Sequence, residues 1–90
     1  MRRDPVTLIH EALETLGLPP MVSYKEIKER YRELSKRYHP DRGDESEKMA
    51  QINHAYEILK NYIENYKFSF SQEEILKQFP FEEYVNKFRF

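Results

Sequence analysis

The chain has no cysteine in its 90 residues. This excludes a disulfide framework and the common cysteine-based zinc and iron–sulfur sites, and it fits a reducing compartment. Glycine is scarce, with only Gly17 and Gly43. No apolar run approaches the roughly 20 residues of a membrane-spanning helix. The basic start, Met1-Arg2-Arg3-Asp4-Pro5, is not followed by the apolar core of a signal peptide. The expectation is a soluble, cytoplasmic chain that makes no membrane contact. An excess of one charge is missing too: 15 Lys and Arg stand against 16 Asp and Glu, net −1. There is therefore no global pull toward nucleic acid or anionic lipid.

What is present is helical patterning and locally uneven charge. A chain of this length makes one small domain that buries only about 60–65% of its unfolded surface. No strand-like alternation, internal repeat or low-complexity linker stands out. Asp4 is a good N-cap, Pro5 suits the first helical position and Gly17 is a natural stop. Between them Val6, Ile9, Leu13 and Leu16 recur at three- and four-residue steps and line one face. Pro19 and Pro20 keep the connection extended. Ser23 followed by Glu26 is a capping box, opening a second helix with Ile27, Tyr31, Leu34 and Tyr38 on its apolar stripe. Pro40 ends it near Tyr38. Asp44 and Glu47 start a third helix, striped by Met49, Ile52, Tyr56, Leu59 and Ile63. Two such helices joined by a short turn form an antiparallel hairpin, and the first helix covers its open apolar side.

Between Ser23 and Tyr38, Lys25, Lys28, Arg30, Arg32, Lys36 and Arg37 outnumber Glu26, Glu29 and Glu33. A basic segment in a nearly neutral protein expects an acidic partner. It leads into His39-Pro40-Asp41. Pro40 stiffens that turn, holding an imidazole and a carboxylate at the mouth of the hairpin. A stiff turn loses less entropy on docking, and Asp41 can accept a bidentate bond from an arginine. Taken as a tripeptide alone, the same residues also fit a plain helix stop.

The wider context is more specific. Ile27 to Arg42, IKERYRELSKRYHPDR, resembles the second helix and loop of J-domains, the signature module of DnaJ-type co-chaperones. Met49 to Leu59, MAQINHAYEIL, resembles the third helix of that family, and Leu13 to Leu18, LETLGL, the end of its first. The resemblance covers about Leu8 to Tyr62 and implies an all-α fold, with J-domain helices two and three antiparallel and helix one across them. It also implies a function without chemistry or cofactor. The turn and the basic helix would bind a DnaK-type heat-shock chaperone, favouring the state that hydrolyses ATP and captures a client protein. By position, His39, Pro40 and Asp41 match the signature turn. Lys28, Tyr31 and Arg32 match the exposed contacts of helix two, and Arg37 and Arg42 flank the turn as secondary contacts.

The chain also departs from the family pattern. Ala12 and Leu13 stand where tyrosines are common, Met49 where phenylalanine is usual, Arg30 where a small residue is frequent and Glu33 at an often basic position. The family's fourth helix is not recognisable, nor are a Gly/Phe-rich linker, a zinc module or a client-binding domain, so the resemblance is to a stand-alone J-domain. The expected division is a J-domain at 1–67 and an aromatic-rich helical extension at 68–90, packed on or next to it. Phe68, Phe70, Phe79, Phe81, Tyr84, Phe88 and Phe90 crowd this extension. Ser71 and Glu74 form a capping box for a short helix through Ile75, Leu76 and Phe79, with one more from Phe81 to Phe88. These aromatics either enlarge the core or offer a client, partner or dimer surface.

Three other functions compete. A J-like adaptor would bind without stimulating ATP hydrolysis. A helix-turn-helix DNA-binding protein would share the short helices, yet Asp41 and Asp44 would face phosphates unfavourably. An enzyme would need a nucleophile–base pair or a metal motif, and His10, His39 and His54 belong to none.

Overall fold

The computed structural model describes residues 4–39 and 46–79. Four helices lie within them: α1 (Pro5–Leu16), α2 (Tyr24–Arg37), α3 (Ser46–Glu64) and α4 (Gln72–Lys77). The described residues are all-helical in their regular structure, as expected for a J-domain.

Local chemistry sets the ends of α1. The Asp4 carboxylate accepts from the Thr7 N–H at 2.8 Å and from the Thr7 hydroxyl at 2.9 Å. At the other end Gly17 adopts φ 69°, a left-handed conformation that only glycine enters without strain. The chain then folds back so that the Leu18 N–H reaches the Leu13 carbonyl at 2.9 Å. Ala12, Leu13 and Leu16 are buried. Val6, expected on the same face, is 61% exposed. It sits in the first turn of α1, at the edge of an open groove shared with Ile58 and Tyr62 of α3.

The Ser23–Glu26 capping box forms in both directions. The Glu26 N–H donates to Ser23 Oγ at 3.2 Å, and the Ser23 N–H donates to Glu26 Oε1 at 3.1 Å. This carries two otherwise unpaired donors into bonds. Helix α2 closes at Tyr38, whose N–H still reaches the Leu34 carbonyl at 2.9 Å. Lys36 and Arg37 occupy the last turn, where the helix dipole favours cations.

Helix α3 is the centre of the bundle: both α1 and α2 pack mainly against it. It buries Met49, Ile52, Ala55 and Leu59, while Tyr56 and Ile63 are half-buried. The expected cap at Asp44 lies outside the described residues. Three contacts give the sense of the hairpin. Tyr24 meets Tyr56, Tyr31 meets Asn53 and Tyr38 meets Lys48. Partners descend α3 as they ascend α2, so the two helices run antiparallel.

Helix α4 differs from its pattern in one respect. Ser71 Oγ accepts from the Glu74 N–H at 3.3 Å, but the Glu74 carboxylate bonds Lys77 at 3.1 Å instead of returning to Ser71. The capping box is therefore half formed. The helix ends at Lys77, short of Phe79, and buries no side chain. Phe68 and Phe70 are 65% and 82% exposed, so these two do not enlarge the core. The further helix expected from Phe81 to Phe88 lies outside the described residues.

Candidate partner-docking site

The exposed flank of α2 that borders α3 carries the first three candidate contacts. Lys28 and Arg32 are one turn apart and share that flank, with Tyr31 at its inner edge. Tyr31 is held on several sides. Its ring stacks on Tyr56, with centroids 4.2 Å apart and planes 14° apart. Its hydroxyl donates to Asn53 Oδ1. A tyrosine so placed has a buried body and a satisfied tip, and its exposed edge presents a rigid apolar surface.

The neighbouring residues extend this arrangement. Lys28 Nζ lies over the Tyr24 ring, 4.8 Å from its centroid, within cation–π range. The Tyr24 and Tyr56 hydroxyls lie 3.4 Å apart. Their hydrogen bond, with burial, pushes the Tyr56 phenol above its ordinary pKa, while the nearby Lys60 and Lys28 charges pull it down. Tyr24, Tyr31 and Tyr56 thus form a cluster across the hairpin with Lys28 and Lys60 beside it.

Arg37 is not brought to this flank. It follows Lys28 by about two and a half helical turns and so faces the other way. Its neighbours one and two turns back are Glu33 and Arg30. Arg30, left without a role by the sequence, has one here. Its Nε donates to the Leu16 carbonyl at 2.8 Å and its Nη1 pairs with Glu33 Oε2 at 3.1 Å. Glu33, the acidic departure on helix two, is therefore turned toward Arg30 and away from Lys28 and Arg32.

His39 is exposed, directly after the helix closure at Tyr38. Pro40, Asp41 and Arg42 lie outside the described residues. One cation at this end was missed by sequence reasoning. Lys48, early in α3, lies 5.8 Å from the ring centroid of Tyr38, the residue before His39. Its position in the first turn after the loop is the signal that could have found it. Among the described residues no group of His, Asp and Glu is arranged to hold a metal ion, and no helix is long and apolar enough to cross a membrane.

Comparison with known proteins adds an independent line. The DnaJ domain family model matches residues 11–68. Similar curated proteins include the human DnaJ homolog subfamily A member 2, 45% identical over 49 residues, covering 53% of this chain and 12% of that protein. The mouse DnaJ homolog subfamily A member 4 is 47% identical over 49 residues, covering 53% and 12%. The chaperone protein DnaJ of Enterococcus faecalis is 47% identical over 51 residues, covering 53% and 13%. The match therefore spans only 12–13% of the length of these relatives. No solved structure matches the chain.

Proposed function

The chain belongs to the DnaJ domain family, and from that membership we propose that it is a co-chaperone that docks on a DnaK-type heat-shock chaperone and speeds its ATP hydrolysis. The observation that carries the reading is the braced flank of α2. A half-buried Lys28 and an exposed Arg32 stand beside a Tyr31 locked by Tyr56 and Asn53, next to the closure that delivers His39. Such a surface meets an acidic face with little loss of side-chain freedom.

In this reading Lys28 and Arg32 steer the approach and Tyr31 supplies a fixed apolar contact. His39, Pro40 and Asp41 engage the partner, with Arg42 beside them. Arg37, on the opposite flank, contributes less. The chain performs no bond chemistry itself. It acts by binding one conformation of the ATPase more tightly than the other, so the coupling is a difference between two affinities. Client capture follows from that shift, and the cell compartment is one where such a partner is found, which we take to be the cytoplasm. Residues 1–67 act as the docking domain and 68–90 as an extension with a separate role.

The adaptor alternative rests on Glu33 and on the aromatic tail. The pairing of Glu33 with Arg30 speaks against a weakened docking flank. Calorimetric titration into the ATP-bound chaperone tests the proposal. The native chain binds with salt-dependent affinity, and the Lys28→Glu, Arg32→Glu double variant loses about tenfold or more. Unchanged affinity in that variant would sink the docking assignment.

A further inference from the structure

The segment between α3 and α4, residues 66–71, runs without helix, turn or bend. Its sequence is Tyr66-Lys67-Phe68-Ser69-Phe70-Ser71, a short aromatic/polar alternation that the helical reading of the chain passed over. An extended chain places alternate side chains on one face. In the structure the Tyr66 and Phe68 rings meet at a tilt, centroids 5.2 Å apart, and Tyr62 meets Tyr66 edge-on at 5.7 Å.

Two properties make this segment unlike an ordinary connection. Every residue from Glu64 to Glu74 is exposed, including three aromatics in alternation. No backbone hydrogen bond joins Lys67, Phe68, Ser69 or Phe70 to another described residue. A stretch with open N–H and C=O groups and alternating aromatic side chains becomes a template for strand pairing when it is drawn out straight.

We propose that this segment pairs antiparallel with the same segment of a second copy of the chain, about a two-fold axis at Phe68. The argument for a second copy is self-complementarity. With Phe68 opposite Phe68, Tyr66 falls opposite Phe70 and Phe70 opposite Tyr66, so all three aromatics face aromatics. Lys67 then falls opposite Ser69, and no like charges are juxtaposed. Cross-strand aromatic pairs stabilise such a ladder and like charges oppose it. Shifting the register by one residue in either direction sets every aromatic against Lys, Ser or Asn. Shifting it by two loses an aromatic pair. A two-fold axis requires one patch to fit itself, which this register does. A two-stranded ribbon is marginal alone, so the pairing is weak and concentration-dependent. Tyr62 lends it a second apolar layer. The segment lies at the opposite end of α3 from Lys48 and His39, so pairing leaves the docking flank open.

The absence of cysteine gives a clean test. Phe68→Cys places the chain's single thiol at the two-fold axis, where directly opposite residues are close enough for a disulfide. Ser69→Cys places it where its copy is more than about 7 Å away, too far to bridge. Both positions are exposed, and unchanged helical circular dichroism in each variant establishes folding. Under mild oxidation Phe68→Cys forms the covalent dimer about tenfold faster than Ser69→Cys. The two outer Tyr66–Phe70 pairs remain in Phe68→Cys and hold the register; equal rates in the two variants would overturn the proposal.

Discussion

The guanidinium of Arg30 in α2 reaches across the bundle to the last carbonyl of α1, its Nε donating to Leu16 at 2.8 Å. Leu16 is fully buried, so this bond fixes the end of α1 on α2 at the edge of the core. Helix ends leave carbonyls unpaired, and a charged donor meets one of them here. Arg30→Ala lowers stability by about 1–3 kcal/mol, read by urea denaturation. Glu33→Ala, removing only an exposed partner, changes it by less than about 1 kcal/mol. Equal losses in both variants would show that the ion pair, not the Leu16 bond, does the work.

Gly17 is tied to the same contact. Its φ of 69° disfavours any side chain, and a Cβ there would lie 3.3 Å from Arg30 Nη2. Gly17→Ala is expected to lower stability by about 1–2 kcal/mol. A neutral substitution would mean that the turn after α1 can be rebuilt.

The caps give a pH dependence with a definite sign. Hydrogen bonds from Thr7 hold the Asp4 carboxyl below its usual range, and those from Ser23 do the same for Glu26. Their folded-state pKa values lie below the unfolded ones. The stabilisation is complete above the ordinary carboxylate range and is lost as pH falls through the depressed folded values. Acid unfolding followed by circular dichroism shows the difference: Asp4→Asn and Glu26→Gln each flatten that loss. Ser23→Ala costs about 0.5–2 kcal/mol at neutral pH.

Tyr56 titrates in the opposite direction. Its phenol is raised by the hydrogen bond to Tyr24, so its contribution is present below the ordinary tyrosine pKa and is lost as pH rises through the raised folded value. In Tyr24→Phe the Tyr56 midpoint moves down, as followed by phenolate absorbance. An unmoved midpoint would separate the two rings.

Much of this was legible in the sequence. Asp4, Pro5 and Gly17 bracket α1, and Ser23 with Glu26 opens α2, because capping is chemistry between near neighbours. Ile27, Leu34, Met49, Ile52 and Leu59 follow helical spacing into the core. Arg30 was illegible because its partner is a backbone carbonyl on another helix, which no side-chain pattern records. Val6 failed for a related reason: periodicity places it on the apolar face but cannot say that the groove it borders with α3 stays open. Arg37 stands in the last turn of α2, beside the turn it was expected to flank, and nine residues from Lys28 put it on the other side of the helix. Lys48 needed the antiparallel hairpin to bring it beside Tyr38.

The two flanks of α2 are expected to differ in function. Arg37→Glu weakens binding to the ATP-bound chaperone several-fold less than Lys28→Glu does, and Lys48→Glu falls between them. Surface plasmon resonance at two salt concentrations separates the steering contribution, which appears in the association rate. Equal sensitivity of Arg37 and Lys28 would place the partner across the whole helix.

The central claim is tested most directly by single-turnover ATP hydrolysis on a DnaK-type chaperone, with the native chain and with Asp41→Asn. The variant removes the charge while nearly keeping the shape. The account predicts faster hydrolysis with the native chain and none of that acceleration with Asp41→Asn, although both are folded. Acceleration by both, or by neither, would contradict it.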